Sequence, residues 1–153
     1  MKDRYTLKSA VFLLLTKKVK NEEYILLQRR FNTGLLDGQY DVSVSGHLEK
    51  GETLREAMIR EAKEEIGIDI EIENLKYVST MHAQFKDSEY LFIIFNTDKY
   101  NGIPTIMEND KCDDLLWVNI KKLPNNIILT REKMISDYLN NNFYSEYLFN
   151  EDI

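Results

Sequence analysis

The chain has 153 residues, 43% hydrophobic and 30% charged, an ordinary globular composition that excludes a disordered or fibrous chain and suits one domain over residues 1–153. Its net charge of -6 argues against a surface for duplex nucleic acid, which needs a lysine and arginine stripe. One cysteine, Cys112, excludes an internal disulfide framework and cannot make a zinc site alone, so it is read as packing.

The first apolar stretch, residues 10–15, is far too short to span a bilayer, and no signal-peptide cleavage pattern surrounds it. A cytoplasmic protein with no membrane partner is expected. Residues 9–15 and 24–27 are rich in strand formers and flank the polar segment 17–22, which predicts a β-hairpin. Residues 31–41 hold Asn32, Gly34, Asp37 and Gly38, turn residues of a long ordered loop, a type that often carries function. Val42 and Val44 alternate with Asp41, Ser43 and Ser45 in a short strand that runs into Gly46. The periodicity predicts a helix over 53–66 with Gly67 as a left-handed cap. Strands are predicted at 70–72, 75–79, 90–95 and 115–118, and a second helix at 131–139. Helices placed among strands indicate an α/β (α+β) class, a mixed sheet covered by helices.

The helix over 53–66 carries an anomaly. Leu54, Met58, Ala62 and Ile66 form one apolar stripe with Ala57 beside it, at about 100° per residue. Glu61 and Glu65 fall on the edge of that stripe, and Glu64 lies about one residue-step further round. Glu64 and Glu65 also occupy the last turn, where the helix dipole disfavours acids by up to about 1 kcal/mol each. A solvated charged face paired through Arg60 and Lys63 is one explanation. A divalent cation that takes up the charge is the other, since hard oxygen donors suit Mg²⁺, Mn²⁺ or Ca²⁺.

The spacing favours the cation. Gly46, five residues, Glu52, seven residues, then Arg60-Glu61-Ala62-Lys63-Glu64-Glu65-Ile66-Gly67-Ile68 resembles the Nudix signature, G-x5-E-x7-R-E-U-x-E-E-x-G-U with U apolar. The match covers 23 of 153 residues, and the order of strands and helices around it is also similar to the family. Ala62 stands where a larger aliphatic residue is usual, and Val44-Ser45-Gly46 lacks the proline that many nucleotide-processing members carry before the glycine.

The resemblance implies an α/β/α sandwich with the motif helix packed on a mixed sheet. It implies a hydrolase that cleaves a phosphoanhydride bond in nucleoside triphosphates or related nucleoside diphosphate derivatives, using a metal-activated water. The implied cofactor is Mg²⁺, with Mn²⁺ as a substitute, and the partner is a small-molecule nucleotide. By similarity Glu64 and Glu65 are the principal metal ligands, Glu61 is the general base or a further ligand, and the Gly46 carbonyl joins the metal shell. Glu52 and Arg60 support the catalytic acids, the arginine as a planar fork. Glu108, or in second place Asp110, precedes a late strand where the family often takes another acid. Arg29, Arg30, His47 and Tyr40 are candidates to meet the substrate; Phe31, Tyr40, Phe85 and Trp117 could stack on a base, yet aromatic residues in this pattern are more often core. A homodimer is compatible with so small an enzyme. Two alternatives share the architecture: an isoprenoid diphosphate isomerase, which needs other acid–base residues, and a ligand-binding regulator without turnover.

Overall fold

The computed structural model describes residues 2–149. The long strand β1 (Lys8–Val19) and β2 (Glu22–Arg30) form the expected hairpin, extended at both ends. Lys20 and Asn21 both take positive φ, 51° and 67°, the geometry of a two-residue turn that matches strand twist. The chain then builds β3 (Tyr40–Val42), β4 (Val44–His47), α1 (Leu54–Ile66), β5 (Lys76–Gln84), β6 (Glu89–Thr97), β7 (Cys112–Asn119), α2 (Leu129–Leu139) and β8 (Tyr144–Leu148).

The strands make a mixed eight-stranded sheet ordered β3-β2-β1-β6-β5-β8, with β4 on β1 and β7 on β2. β1 pairs with β6 in parallel and with β2 and β4 antiparallel. The single predicted strand into Gly46 is two. After β3 pairs with β2, the chain crosses at Ser43, whose hydroxyl donates to the Leu13 carbonyl at 3.0 Å, and β4 then pairs with β1. Gly46 thereby lies opposite Val11 in the sheet interior.

β1 shows why the run 10–15 is wholly apolar: both of its faces are covered, as in a sheet between helices. Ala10, Phe12 and Leu14 face a core that includes Met134 and Ile135 of α2. Val11, Leu13 and Leu15 face a second core with Ala57, Met58, Ala62 and Ile66 of α1. The architecture is therefore the expected helix–sheet–helix sandwich. Burial of side chains such as Met58 and Ile66 stabilises the α1 layer by about 2–3 kcal/mol each.

Two elements differ from expectation. Residues 70–72 are not a strand: Ile70 is buried in the α1 core, but Ile72 is exposed and starts a single 3-10 turn, Ile72–Asn74. The alternation stops after Ile70, and Asp69 makes only an isolated bridge to Asn101. The edge strand β8 was not expected. It pairs with β5 in parallel, a nonlocal partnership for a polar, asparagine-led segment.

Candidate active site

Residues that start and stop α1 are placed by local chemistry. Thr53 accepts from the Glu56 N–H at 3.2 Å, and the Glu56 carboxylate returns a bond to the Thr53 N–H at 3.0 Å, a reciprocal capping box. At the other end Gly67 has φ of 71° and donates its N–H to the Lys63 carbonyl. The extended segment beyond Asn101 closes the terminus, with the N–H groups of Thr105 and Met107 donating to the carbonyls of Ile66 and Glu65. This docking brings Glu108 to the acid-bearing end of α1.

Glu65 leans inward against β4, where its carboxylate accepts the Ser45 N–H at 2.9 Å. Burial, joined by the negative charges of Glu61, Glu108 and Asp41, pushes its carboxyl up to about 9. Glu61 is half-buried and lies against Gly46; a Cβ at Gly46 would collide with the Glu61 carboxyl group. Burial raises the Glu61 carboxyl too, against the pull of Arg60 and with a push from Glu64 and Glu108. Glu64 points outward and its side chain is 53% exposed.

Arg60 gathers the cluster. Its Nε and Nη2 donate to the two Glu52 oxygens at 3.1 and 2.8 Å, Nη1 donates to Glu61 at 2.8 Å, and Nη2 also reaches the His47 carbonyl at 3.1 Å. Glu64 accepts from Nη1 at 3.4 Å. Glu52 in turn accepts the Glu49 N–H at 2.7 Å, so the loop before α1 and the helix acids share one planar fork.

These groups form one wall of a cavity of about 1300 Å³. Among the residues expected to serve, Gly46, His47, Arg60, Glu61, Glu64, Glu65, Glu108 and Arg30 line it. Glu52 stands behind Arg60 as its counter-ion. Arg29 and Tyr40 are turned elsewhere. Arg29 pairs with Asp113 at 2.8 Å; Tyr40 is buried and donates its hydroxyl to Asp114 at 2.6 Å. Their alternation with Arg30 along the strand pair explains the split, since neighbouring strand residues face opposite sides. Of the aromatics, Phe85 lines the cavity, whereas Trp117 packs at the α1 core with Lys17 over its ring at 4.1 Å.

Sequence reasoning missed a second charged group beside the same cavity, which Arg30 and Arg131 line. Asp41 is fully buried and receives Arg131 through Nε at 2.7 Å and Nη2 at 3.2 Å, with Arg30 at 3.4 Å. The Arg131 guanidinium also lies over the Phe12 ring at 4.6 Å. An aspartate directly before a valine strand was the available signal, because an unpaired buried charge there would be very costly. Its partner lies 90 residues away, so spacing could not reveal it.

Among the described residues no three acidic, histidine or cysteine side chains are already drawn into a cation cage; Arg60 supplies the positive charge instead. The donor chemistry nevertheless fits a hard divalent ion. Glu65, driven towards protonation first by burial and then by the neighbouring acids, lies beside a backbone position where only glycine clears Glu61. No helix among the described residues is long and apolar enough to cross a membrane.

The NUDIX domain model matches residues 6–138. The chain is 33% identical over 116 residues to the NAD-capped RNA hydrolase NudC of Vibrio atlanticus, covering 74% of this chain and 39% of that protein. It therefore spans about two-fifths of the length of that relative. It is 30% identical over 111 residues to the nucleoside triphosphatase NudI of Klebsiella pneumoniae, covering 67% of this chain and 76% of that protein. The fold is similar to the crystal structure of a MutT NUDIX hydrolase from Burkholderia pseudomallei, with a TM-score of 0.75, 18% identity, and coverage of 87% and 98% of the two chains.

Proposed function

The chain belongs to the Nudix family, and on that premise we propose that it is a divalent-cation-dependent hydrolase of phosphoanhydride bonds in nucleotides, built as one Nudix domain. The observation that carries this reading is the desolvated Glu65 carboxylate, raised by Glu61 and Glu108 on the wall of a large cavity. Uncompensated acids in that position destabilise the metal-free chain and suit a cation-loaded one. The relatives' printed activities, on NAD-capped RNA and nucleoside triphosphates, support a reading in which the substrate is a nucleoside triphosphate or nucleoside diphosphate derivative.

Glu64, Glu65 and the Gly46 carbonyl would hold the ion, with Mg²⁺ the expected species and Mn²⁺ a substitute. When bound, a divalent cation supplies a water acidified enough to attack phosphorus and neutralises phosphate oxygens. Glu61 is the residue assigned to take the proton, at the carboxylate that Arg60 orients from 2.8 Å. Glu108 adds negative potential to the same wall, and its carboxylate is the reserve ligand. Arg30 lines the cavity beside Asp41 and is assigned to the substrate's phosphate end, whereas Arg29 and Tyr40, facing away, are withdrawn from substrate binding. His47 contributes its carbonyl to Arg60, and its ring lies 5.9 Å from that of Tyr90.

The test is product formation from a panel of nucleoside triphosphates, dinucleotides, sugar nucleotides and isopentenyl diphosphate, with Mg²⁺ and with chelator. Cation-dependent release of a nucleoside monophosphate supports the reading. Binding without release under both conditions would favour the non-catalytic regulator, and turnover of isopentenyl diphosphate alone would favour the isomerase.

A further inference from the structure

The segment 31–39 between β2 and β3 is held in an unusual conformation. Asn32 and Leu36 take φ of 54° and 55°, beside Gly34 at 83° and Gly38 at 81°. A left-handed backbone suits glycine and asparagine; for leucine it costs energy and persists only where the surroundings impose it. Here they do. Asp37 accepts the N–H groups of Thr33 and Gly34 at 3.0 and 2.9 Å and the Thr33 hydroxyl at 2.6 Å. The Leu35 carbonyl accepts from Arg30 Nε at 2.8 Å, and the Leu36 carbonyl accepts the Gln39 N–H at 3.2 Å.

The outcome is a loop braced by Asp37 from within and by Arg30, Lys111 and Asn126 from outside, from which two adjacent leucine side chains stand out. Leu35 is 64% exposed and Leu36 39% exposed, and both line the cavity that holds Glu61 and Glu65. Phe85, Tyr90 and Phe92 in that cavity are packed on one another instead, Phe85 and Phe92 at 6.1 Å and Tyr90 and Phe92 at 5.5 Å between centroids, which makes them wall, while exposed Leu129 and Phe149 also line it. Leucines on a braced backbone, exposed in the cavity that carries the charged wall of Arg60, Glu61, Glu64 and Glu65, match the one apolar, planar part of a nucleotide, its base.

We propose that Leu35 and Leu36 form a preorganised apolar clamp for the base of the nucleotide substrate, and so determine specificity. This rests on the cavity being a nucleotide site. Because the backbone is fixed beforehand, closing on the base costs little ordering entropy.

The test uses the whole chain with methyl-labelled leucine and a nitrogen-labelled backbone, titrated with AMP, GMP, CMP and UMP and with ribose 5-phosphate, which carries the same phosphate and sugar but no base. At least one nucleotide is expected to shift the Leu35 or Leu36 methyl resonances together with the Gly46 amide, while ribose 5-phosphate shifts Gly46 alone. Leu36→Asn, which suits positive φ, should weaken that nucleotide about tenfold, the worth of a partly buried aliphatic side chain. It should leave ribose 5-phosphate binding unchanged and the Tm equal or higher. The clamp is overturned if nucleotides move Gly46 but neither leucine, if Leu36→Asn weakens ribose 5-phosphate equally, or if it lowers the Tm by several degrees. If no probe moves Gly46 or the leucines, the nucleotide site itself falls and the clamp with it.

Discussion

Replacing Glu65 by glutamine should stabilise the metal-free protein at neutral pH while removing its response to divalent cations. The Glu65 carboxyl is pushed up to about 9 from an ordinary value of 4.5. A raised acid means that the folded state holds the proton more tightly than the unfolded state does. Its contribution to stability is therefore complete below about pH 4.5 and declines as pH rises towards 9. The decline approaches about 1.4 kcal/mol per pH unit, or at most about 4 kcal/mol at pH 7.5, three units above the unfolded value. Water entry and relaxation around a half-buried carboxylate lower this, leaving an expected gain of about 1–3 kcal/mol from Glu65→Gln, which corresponds to roughly 3–10 °C in Tm for a chain of this size. The amide oxygen can still accept the Ser45 N–H, so the comparison isolates charge. Thermal melts of both proteins in chelator across pH 5 to 9 should diverge as pH rises, and adding millimolar Mg²⁺ should raise only the wild-type Tm appreciably. A variant that melts lower at every pH, or that keeps the full cation response, would refute the reasoning.

Gly46→Ala should displace Glu61 and lower kcat by about 10²-fold or more, with little loss of Tm because the clash falls on a flexible side chain; paired kinetics and melts check it. Arg60→Lys keeps one charge but not the fork on Glu52 and Glu61, so kcat should fall by about tenfold or more with a lower Tm. Asp41→Ala leaves the Arg131 guanidinium buried without its carboxylate, and denaturant unfolding should show a loss of about 3–5 kcal/mol. Gly67→Ala forces a side chain into φ of 71° with Met107 Sδ 3.1 Å away; a loss of about 1–2 kcal/mol is expected in the same assay.

The sandwich and α1 were legible because their signals are local. The apolar stripe through Ala57, Met58, Ala62 and Ile66 and the Gly67 cap are read from neighbours three or four residues apart, whereas the Thr53–Glu56 capping box emerged only in the structure. The partners of β1 were not: β6 pairs with it across some eighty residues, and β8 reaches β5 through no sequence pattern at all. At the site, spacing identified the acids. Helical angle set Glu65 at the edge of the apolar stripe and Glu64 further round, in line with the buried bond of Glu65 and the exposure of Glu64, but spacing could not separate Arg30 in the cavity from Arg29 on its far side. Asp41 and Arg131 escaped altogether, since a buried ion pair between distant elements leaves no local period.

The central claim is cation-dependent phosphoanhydride hydrolysis at the Glu61–Glu65 wall. Its most direct measurement is phosphorus NMR of a nucleotide panel incubated with wild type and Glu61→Gln, in Mg²⁺ and in chelator. The account predicts conversion of at least one nucleotide by the wild type in Mg²⁺, suppression to background in chelator, and a fall of about 10²–10⁴-fold in Glu61→Gln. Equal turnover in chelator, or a Glu61→Gln variant as fast as the wild type, would contradict it.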